Sequence, residues 1–328
     1  MTPLSELPAI FERARTAQRG WANLSPKKRA FYLIQLRETL LNHVDEIADL
    51  ISRENGKPRM EAMANELLPS VDMLTYFAKR TPKLLEDSNI PMTLMKHRKS
   101  YLNYWPLGVV TVISPWNYPF LLPFGEILMA LVTGNAVVFK PSEVTPLTGL
   151  KIQQLCEKAG FPENIVQTVI GDGPTGAAII QQKPAKIFFT GSVPTGKKIM
   201  AAAAEHLIPV NLELGGKDAM IVLADADLDY ATSAALWGGF SNSGQVCAST
   251  ERILVHESIA EHFLDVLKAK LAQLRQGPPQ SANNDLGAIT FDRQKLVYDR
   301  HIEQAKAQGA KFVAGGGYTD ASRRFLQP

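Results

Sequence analysis

Cysteine is nearly absent from this chain, which has only Cys156 and Cys247. Two cysteines cannot build a disulfide framework, and these two lack the spacing of a zinc site, so no metal centre is expected. An excess of one charge is lacking too. The 35 Lys and Arg against 32 Asp and Glu leave a formal +3 with no basic run, which gives no footing for nucleic acid and leaves any phosphate recognition to a local site. The opening "MTPLSELPAIFERARTAQRG" has no apolar core of the signal-peptide kind. Apolar stretches such as "PFLLPFGEILMALVTGNAVVF" are broken by Pro, Gly and Glu short of a membrane span. A soluble, cytoplasmic protein without a membrane partner is the expectation. The G-x-G-x-x-G dinucleotide fingerprint, internal repeats and low-complexity segments are also missing.

What is present is an ordinary globular composition, 45% hydrophobic over 328 residues, long enough for two domains with separate cores. The first hundred residues read as helices. Ser25 and Pro26 make an N-cap and first-turn pair ahead of a helix running to Gly56, with Phe31, Ile34, Leu36, Leu40, Val44 and Ile47 at helical spacing. A second helix covers 60–85, kinked or divided at Pro69. Residues 88–105 mix β-formers with charges and read as a hairpin. Then strands and helices alternate. "VVTVIS" (109–114), "AVVFK" (136–140), "IVQTVI" (165–170) and "KIFFT" (186–190) each precede a helical segment, and "PVNLEL" and "DAMIVL" continue the strand signal. This is the pattern of an α/β fold with a doubly wound parallel sheet. "GAITF", "GAKFVAGG" and "FLQP" suggest further strands around a helix beginning near Arg293.

In such a sheet, ligands bind beyond the carboxyl ends of the strands, where helix N-termini offer free N–H groups. Four strand ends lead into loops of marked composition: "ISPWNYP", "FKPSEVTP", "IGDGPTG" and "FTGSVPTG". Each glycine taken alone is a turn residue; four such loops on one edge favour a nucleotide site. If Glu143 meets an adenosine ribose, its carboxylate favours NAD over NADP by repelling a 2′-phosphate, with Lys140 offsetting that repulsion. A solvated Lys140–Glu143 surface pair is the other reading. In "NLELGGK", Glu213 stands in an apolar strand before Gly215 and Gly216. Burial there would raise its pKa toward that of a general base, and an ion pair with Lys217 is the alternative. Finally, "NSGQVCAST" surrounds Cys247 with glycine and small polar residues. It is either a packed thiol or a nucleophile on a partly solvated loop.

The motifs "PWNYP", "KPSEVTP", "FTGS" followed by Gly196, "ELGGK" and "GQVCAS" occur in this order and spacing in the aldehyde dehydrogenase superfamily, which the chain resembles from its N-terminal helices to Pro328. The resemblance implies Cys247 as nucleophile, Glu213 as general base and Asn117 as the amide that stabilises the oxyanion. It implies cofactor contacts from Ile113, Ser114, Pro115, Trp116, Asn117, Lys140, Ser142, Glu143, Gly173, Gly191, Ser192, Glu213, Leu214 and Gly215, with NAD as cofactor and NADP possible. It further implies an NAD(P)-binding domain (1–87 and 106–214), an oligomerisation hairpin (88–105) serving a homodimer or homotetramer, and a catalytic domain (215–328). The reaction implied is oxidation of an aldehyde to a carboxylic acid through a thioester on Cys247. Cys156, within "LKIQQLCEKAG", reads as inert packing.

The sequence departs from the family in two places. Family chains continue past this point into an E-x-F-G-P segment whose Glu holds the nicotinamide ribose, so an incomplete catalytic domain is expected here. Glu126 stands where many relatives carry Lys or Arg near the site. Uncharged Tyr118, Leu121 and Leu122, with Glu126 repelling carboxylates, point to an apolar aliphatic or aromatic aldehyde. Two rivals stay open. One is a CoA-acylating dehydrogenase, though such relatives generally lack the base at position 213. The other is an inactive nucleotide-binding or oligomer-scaffolding form.

Overall fold

The computed structural model describes residues 1–281 and 283–328. Contacts divide them into one unit of residues 1–47 and 65–213 and another of residues 48–64 and 214–328. Residues 48–64, expected with the first domain, group with the second unit because their partners lie there. Ser52 Oγ donates to Pro279 O at 3.5 Å, and Ala288 N–H to Gly56 O at 2.9 Å.

The N-terminal helices are α1 (Leu7–Ala22), α2 (Pro26–Leu41), α3 (Val44–Asn55), α4 (Arg59–Ala62) and α5 (Leu68–Leu84). Ser25 caps α2 as expected, its Oγ accepting from Lys28 N–H at 3.3 Å. The single long helix expected there is in fact two, since α2 ends at Leu41 and α3 starts at Val44. The buried face of α2 is Leu33, Leu36 and Leu40, while Phe31 and Ile34 are exposed. Pro69 falls in the first turn of α5, where no intrahelical donor is needed. The turn before it, Met63–Leu67, widens into a π-helix.

In the first unit, β1 (Ser88–Ile90) and β2 (Ser100–Leu102) form the antiparallel hairpin. Strands β3 (Val109–Ile113), β4 (Ala136–Lys140), β5 (Val166–Thr168), β6 (Lys186–Gly191) and β7 (Val210–Leu214) form one sheet in the order β5-β4-β3-β6-β7. The pairings β3–β4, β3–β6 and β4–β5 are parallel. Every residue of β3 and β4 is buried, which explains their uninterrupted apolar runs. The order reverses between β3 and β6, and that switch point is where an open α/β sheet leaves a ligand crevice.

Between the strands lie α6 (Leu121–Val132), α7 (Pro146–Lys158), α8 (Gly173–Ile180) and α9 (Val193–Ala204). Helix α6 is buried from Pro123 onward except at Met129, so its ends need protein partners. Glu66 accepts from the N–H groups of Phe120 (2.8 Å) and Leu121 (3.2 Å). At the far end Arg29 Nε donates to Val132 O (2.9 Å) and Trp21 Nε1 to Leu131 O (2.8 Å). An acceptor oxygen at the N-terminus and a cation at the C-terminus both complement the helix dipole.

In the second unit, β8 (Asp218–Val222) and β9 (Thr250–Val255) pair in parallel. Around them are α10 (Leu228–Phe240), α11 (Ala260–Leu271) and α12 (Asp292–Ala307). Met220, Val222, Ile253 and Val255 pack on Ala231, Ala235 and Phe263, while Ile221 and Leu254 on the alternate positions are exposed. The strands expected at "GAITF", "GAKFVAGG" and "FLQP" do not form. Among the described residues this unit adds only the isolated bridges Gln276–Leu286 and Tyr318–Leu326, because strand-prone residues become a strand only where a neighbouring ladder is free to accept them. No helix among the described residues is long and apolar enough to cross a membrane.

Candidate functional site

The loops singled out in the sequence leave the carboxyl edge of the first unit's sheet. After β3, Ser114 N–H donates to Lys140 O at 3.1 Å, so the ladder ties the "SPWN" loop to the end of β4. Ser114 is buried, and Pro115, Trp116 and Asn117 are half-buried. Lys140 is buried, with Nζ 3.1 Å from Pro141 O and 3.8 Å from Glu143 Oε2. Burial pushes its ammonium below the ordinary lysine value, and the charges of Glu143 and Asp172 oppose that shift. Ser142 is buried and its Oγ accepts from Val144 N–H at 3.2 Å, a turn that leaves the Glu143 carboxylate exposed.

Two further strand ends open helices. Asp172 is the residue before α8, and Gly173 is its exposed first residue. At Gly191 a Cβ would lie 2.6 Å from the Phe189 ring, so any larger residue would have to displace that ring. Ser192 occupies the N-cap position of α9, and its Oγ donates to Thr195 Oγ1 at 3.0 Å. The edge therefore gathers two helix N-termini, a buried ammonium and an exposed carboxylate.

Strand β7 is the edge strand of the sheet, and Glu213 near its end is exposed. The expectation that a buried strand would bury this carboxylate is corrected by that edge position. Nor does Lys217 claim it, since that ammonium lies 2.6 Å from Glu251. Leu214 is half-buried and Gly215 exposed.

A carboxyl that is buried is Glu126, at 7% exposure on α6. Burial pushes it up to about 8; a hydrogen bond from Thr190 Oγ1 at 3.3 Å pulls it back, and the charge of Glu213 adds to the rise. Its Oε2 is buried without a hydrogen-bond partner. Glu126 is therefore a neutral acid in the core at neutral pH. The expectation that it repels carboxylate substrates from a pocket wall does not survive.

In the second unit the two cysteines' difference becomes plain. Cys247 is exposed on a loop between α10 and β9. Cys156, in the first unit, is buried in α7, and burial pushes its thiol up to about 12. The loop is anchored on both sides of the thiol. Gln245 is buried, its Nε2 donating to Asn242 O at 2.9 Å and its Oε1 accepting from Thr290 N–H at 3.0 Å. Ser249 Oγ donates to Gly238 O at 3.1 Å. Sequence reasoning missed Gln245 and the buried acid Glu66, and it did not foresee the burial of Glu126, for which a polar residue inside the apolar run "FGEIL" was the only available signal.

The aldehyde dehydrogenase family profile matches residues 4–328. The chain belongs to the aldehyde dehydrogenase family. It is 42% identical over 315 residues to a 4,4'-diapolycopene aldehyde oxidase of Methylomonas, covering 94% of this chain and 59% of that protein. It is 38% identical to a betaine aldehyde dehydrogenase of Rhizobium etli over 94% of this chain and 64% of that one. Among solved structures, an aldehyde dehydrogenase from Bacillus cereus in complex with NAD+ superposes at a TM-score of 0.94 with 34% identity. That match covers 99% of this chain and 66% of the Bacillus chain. The chain thus spans about three-fifths of the length of the curated relatives it matches. Asn117 and Glu213 belong to the first unit and Cys247 to the second.

Proposed function

We propose that this chain carries the cofactor-binding and nucleophile-bearing parts of an enzyme that oxidises an aldehyde to a carboxylic acid with NAD(P)+. The observation that carries the reading is the exposed Cys247 thiol on an anchored loop, against a Cys156 that burial keeps protonated.

A dinucleotide suits the first unit's sheet edge on chemical grounds. Ser114 Oγ is buried there without a hydrogen-bond partner, and the N-termini of α8 and α9 offer N–H groups to an anion. Lys140, Ser142, Glu143, Gly173, Gly191 and Ser192 would hold it, with Ile113–Asn117, Leu214 and Gly215 completing the contacts. The exposed carboxylate of Glu143 suits free ribose hydroxyls and disfavours a 2′-phosphate, which favours NAD over NADP. The bound cofactor supplies a hydride acceptor.

The chain's own residues supply the remainder. The Cys247 thiolate adds to the aldehyde carbon, and the Asn117 amide and Cys247 backbone N–H donate to the resulting oxyanion. Loss of hydride leaves a thioester on Cys247. Glu213, exposed to solvent, takes a proton from water as the water oxygen attacks that thioester, and the thiolate departs. A base at position 213 favours water over a CoA thiol as the acyl acceptor. The exposed hairpin residues Ile90, Tyr101 and Leu102 suit the expected oligomer contact.

Mixing the chain with NAD+ and hexanal is expected to give a burst of NADH of up to one equivalent per chain. A nucleotide-binding scaffold without catalysis gives no burst, and that result would defeat the proposal. The apolar substrate class now rests on half-buried Tyr118, Leu121 and Leu122, without help from Glu126. A higher kcat/KM for succinate semialdehyde than for hexanal would overturn it.

A further inference from the structure

The turn ahead of the nucleophile takes a backbone path that residues with side chains avoid. Asn242, Ser243 and Gly244 have φ values of 51°, 56° and 74°, three consecutive residues in the left-handed region. Glycine is at ease there and asparagine tolerates it, but Ser243 sets its Cβ against a carbonyl. Strain of this kind persists only where the surroundings over-determine it.

The surroundings can be named. Helix α10 ends because Ser241 turns out of the helical region, at ψ 139°. The N–H of Asn242 thereby loses the helical acceptor it would otherwise have had. Asn242 is 1% exposed, and a buried donor left unpaired is costly. Its N–H donates instead to Glu61 Oε1 at 2.8 Å. Glu61 sits on α4, within the 48–64 segment of the same unit. Beyond that point the turn is held by neutral groups. Ser243 Oγ donates to Gly287 O at 3.0 Å, and Tyr298 Oη to Ser243 O at 3.1 Å. Gln245 N–H closes the turn onto Asn242 O at 3.1 Å. Among these bonds the one to Glu61 alone reaches a side-chain acceptor on α4, a different element from the loop. It also acts on the first left-handed residue, where the chain's exit direction is set.

We infer that Glu61 is a positioning residue for the nucleophile: by holding the Asn242 N–H it fixes the left-handed turn and so the direction in which Cys247 is presented. This rests on the reading of Cys247 as nucleophile. Glu61 touches no reacting atom; it acts through the backbone. Because α4 lies far from Cys247 in sequence, nothing local to the nucleophile motif reveals it.

The test uses the full chain with Glu61→Gln, Glu61→Ala and the pair Glu61→Ala/Ser243→Gly. Three readouts are needed: the rate of iodoacetamide alkylation at Cys247 across pH, the NADH burst rate with hexanal, and Tm. Glu61→Ala is expected to slow the burst by about ten- to a hundredfold, the usual effect of displacing a reacting group by about an ångström. It should also change the alkylation rate at Cys247, while NAD affinity is unaltered. Glu61→Gln keeps an acceptor oxygen at the same place and should recover most of the burst rate. Adding Ser243→Gly removes the Cβ strain together with the Oγ bond to Gly287 O, so it should not restore the burst, whatever its effect on Tm. If Glu61→Ala leaves burst and alkylation rates at the wild-type level, the inference falls. It falls equally if Ser243→Gly restores the burst, since Glu61 would then be a merely structural prop. A wild-type chain that alkylates at Cys247 but gives no burst defeats the proposed function, and the alkylation rates still decide the role of Glu61.

Discussion

Cys247→Ser is expected to lower aldehyde oxidation by at least about 10³-fold, the scale of losing a nucleophile that acts together with a base and an oxyanion hole. The exchange replaces one sulfur by oxygen on an exposed residue, so neither Tm nor NAD affinity should change. What changes is the fraction of reactive anion: a thiol near neutral pH holds some thiolate, whereas a serine hydroxyl holds almost none unless a base adjoins it. Cys156→Ser is the matching control. That residue is 1% exposed in α7, so a polar hydroxyl there should lower Tm while activity per folded chain stays intact. Iodoacetamide at neutral pH should label Cys247 and spare Cys156, as peptide mapping would read directly. Labelling of Cys156 with Cys247 untouched would refute the assignment.

Glu126→Gln is expected to remove one contribution to the pH dependence of stability. Folding raises this carboxyl from 4.5 to about 8, chiefly by burial. Between those values the folded chain keeps a proton that the unfolded chain has released. The contribution is therefore fully present below 4.5, declines as pH rises by at most about 1.4 kcal/mol per unit, and levels off above about 8. Glutamine keeps the volume and an oxygen for Thr190 Oγ1 but has nothing to titrate. Wild type should accordingly lose stability relative to the variant as pH climbs through that window, by a few kcal/mol in total. Thermal unfolding of the two proteins side by side across pH checks it. Parallel curves would mean that Glu126 is already ionised in the folded chain, and the description of α6 would have to change.

The sheet of the first unit was legible because β3 and β4 are buried on both faces and so read as unbroken apolar runs. The exposure of Cys247 on a loop was legible because "NSGQVCAST" combines a rare thiol with residues that tolerate tight turns. What stayed hidden depends on neighbours distant in sequence. The exposure of Glu213 follows from the place of β7 at the sheet edge, which strand order decides and local composition does not. The burial of Glu126 follows from the enclosure of α6. The C-terminal strand signals failed for a related reason: "GAITF" and "FLQP" have the residues of strands, but β8 and β9 pair with neither. The grouping of 48–64 with the second unit was invisible because Ser52 and Gly56 find their partners more than two hundred residues away.

The most direct test of the account is a covalent trap. Glu213→Gln, incubated with NAD+ and hexanal and analysed by mass spectrometry, should accumulate one acyl group per chain on Cys247 and none on Cys156. NADH should form in a single burst with little turnover afterwards, because the thioester has lost the base that activates water. Unchanged steady-state turnover in this variant, or a chain that stays free of acyl adduct after NADH has formed, would contradict the account.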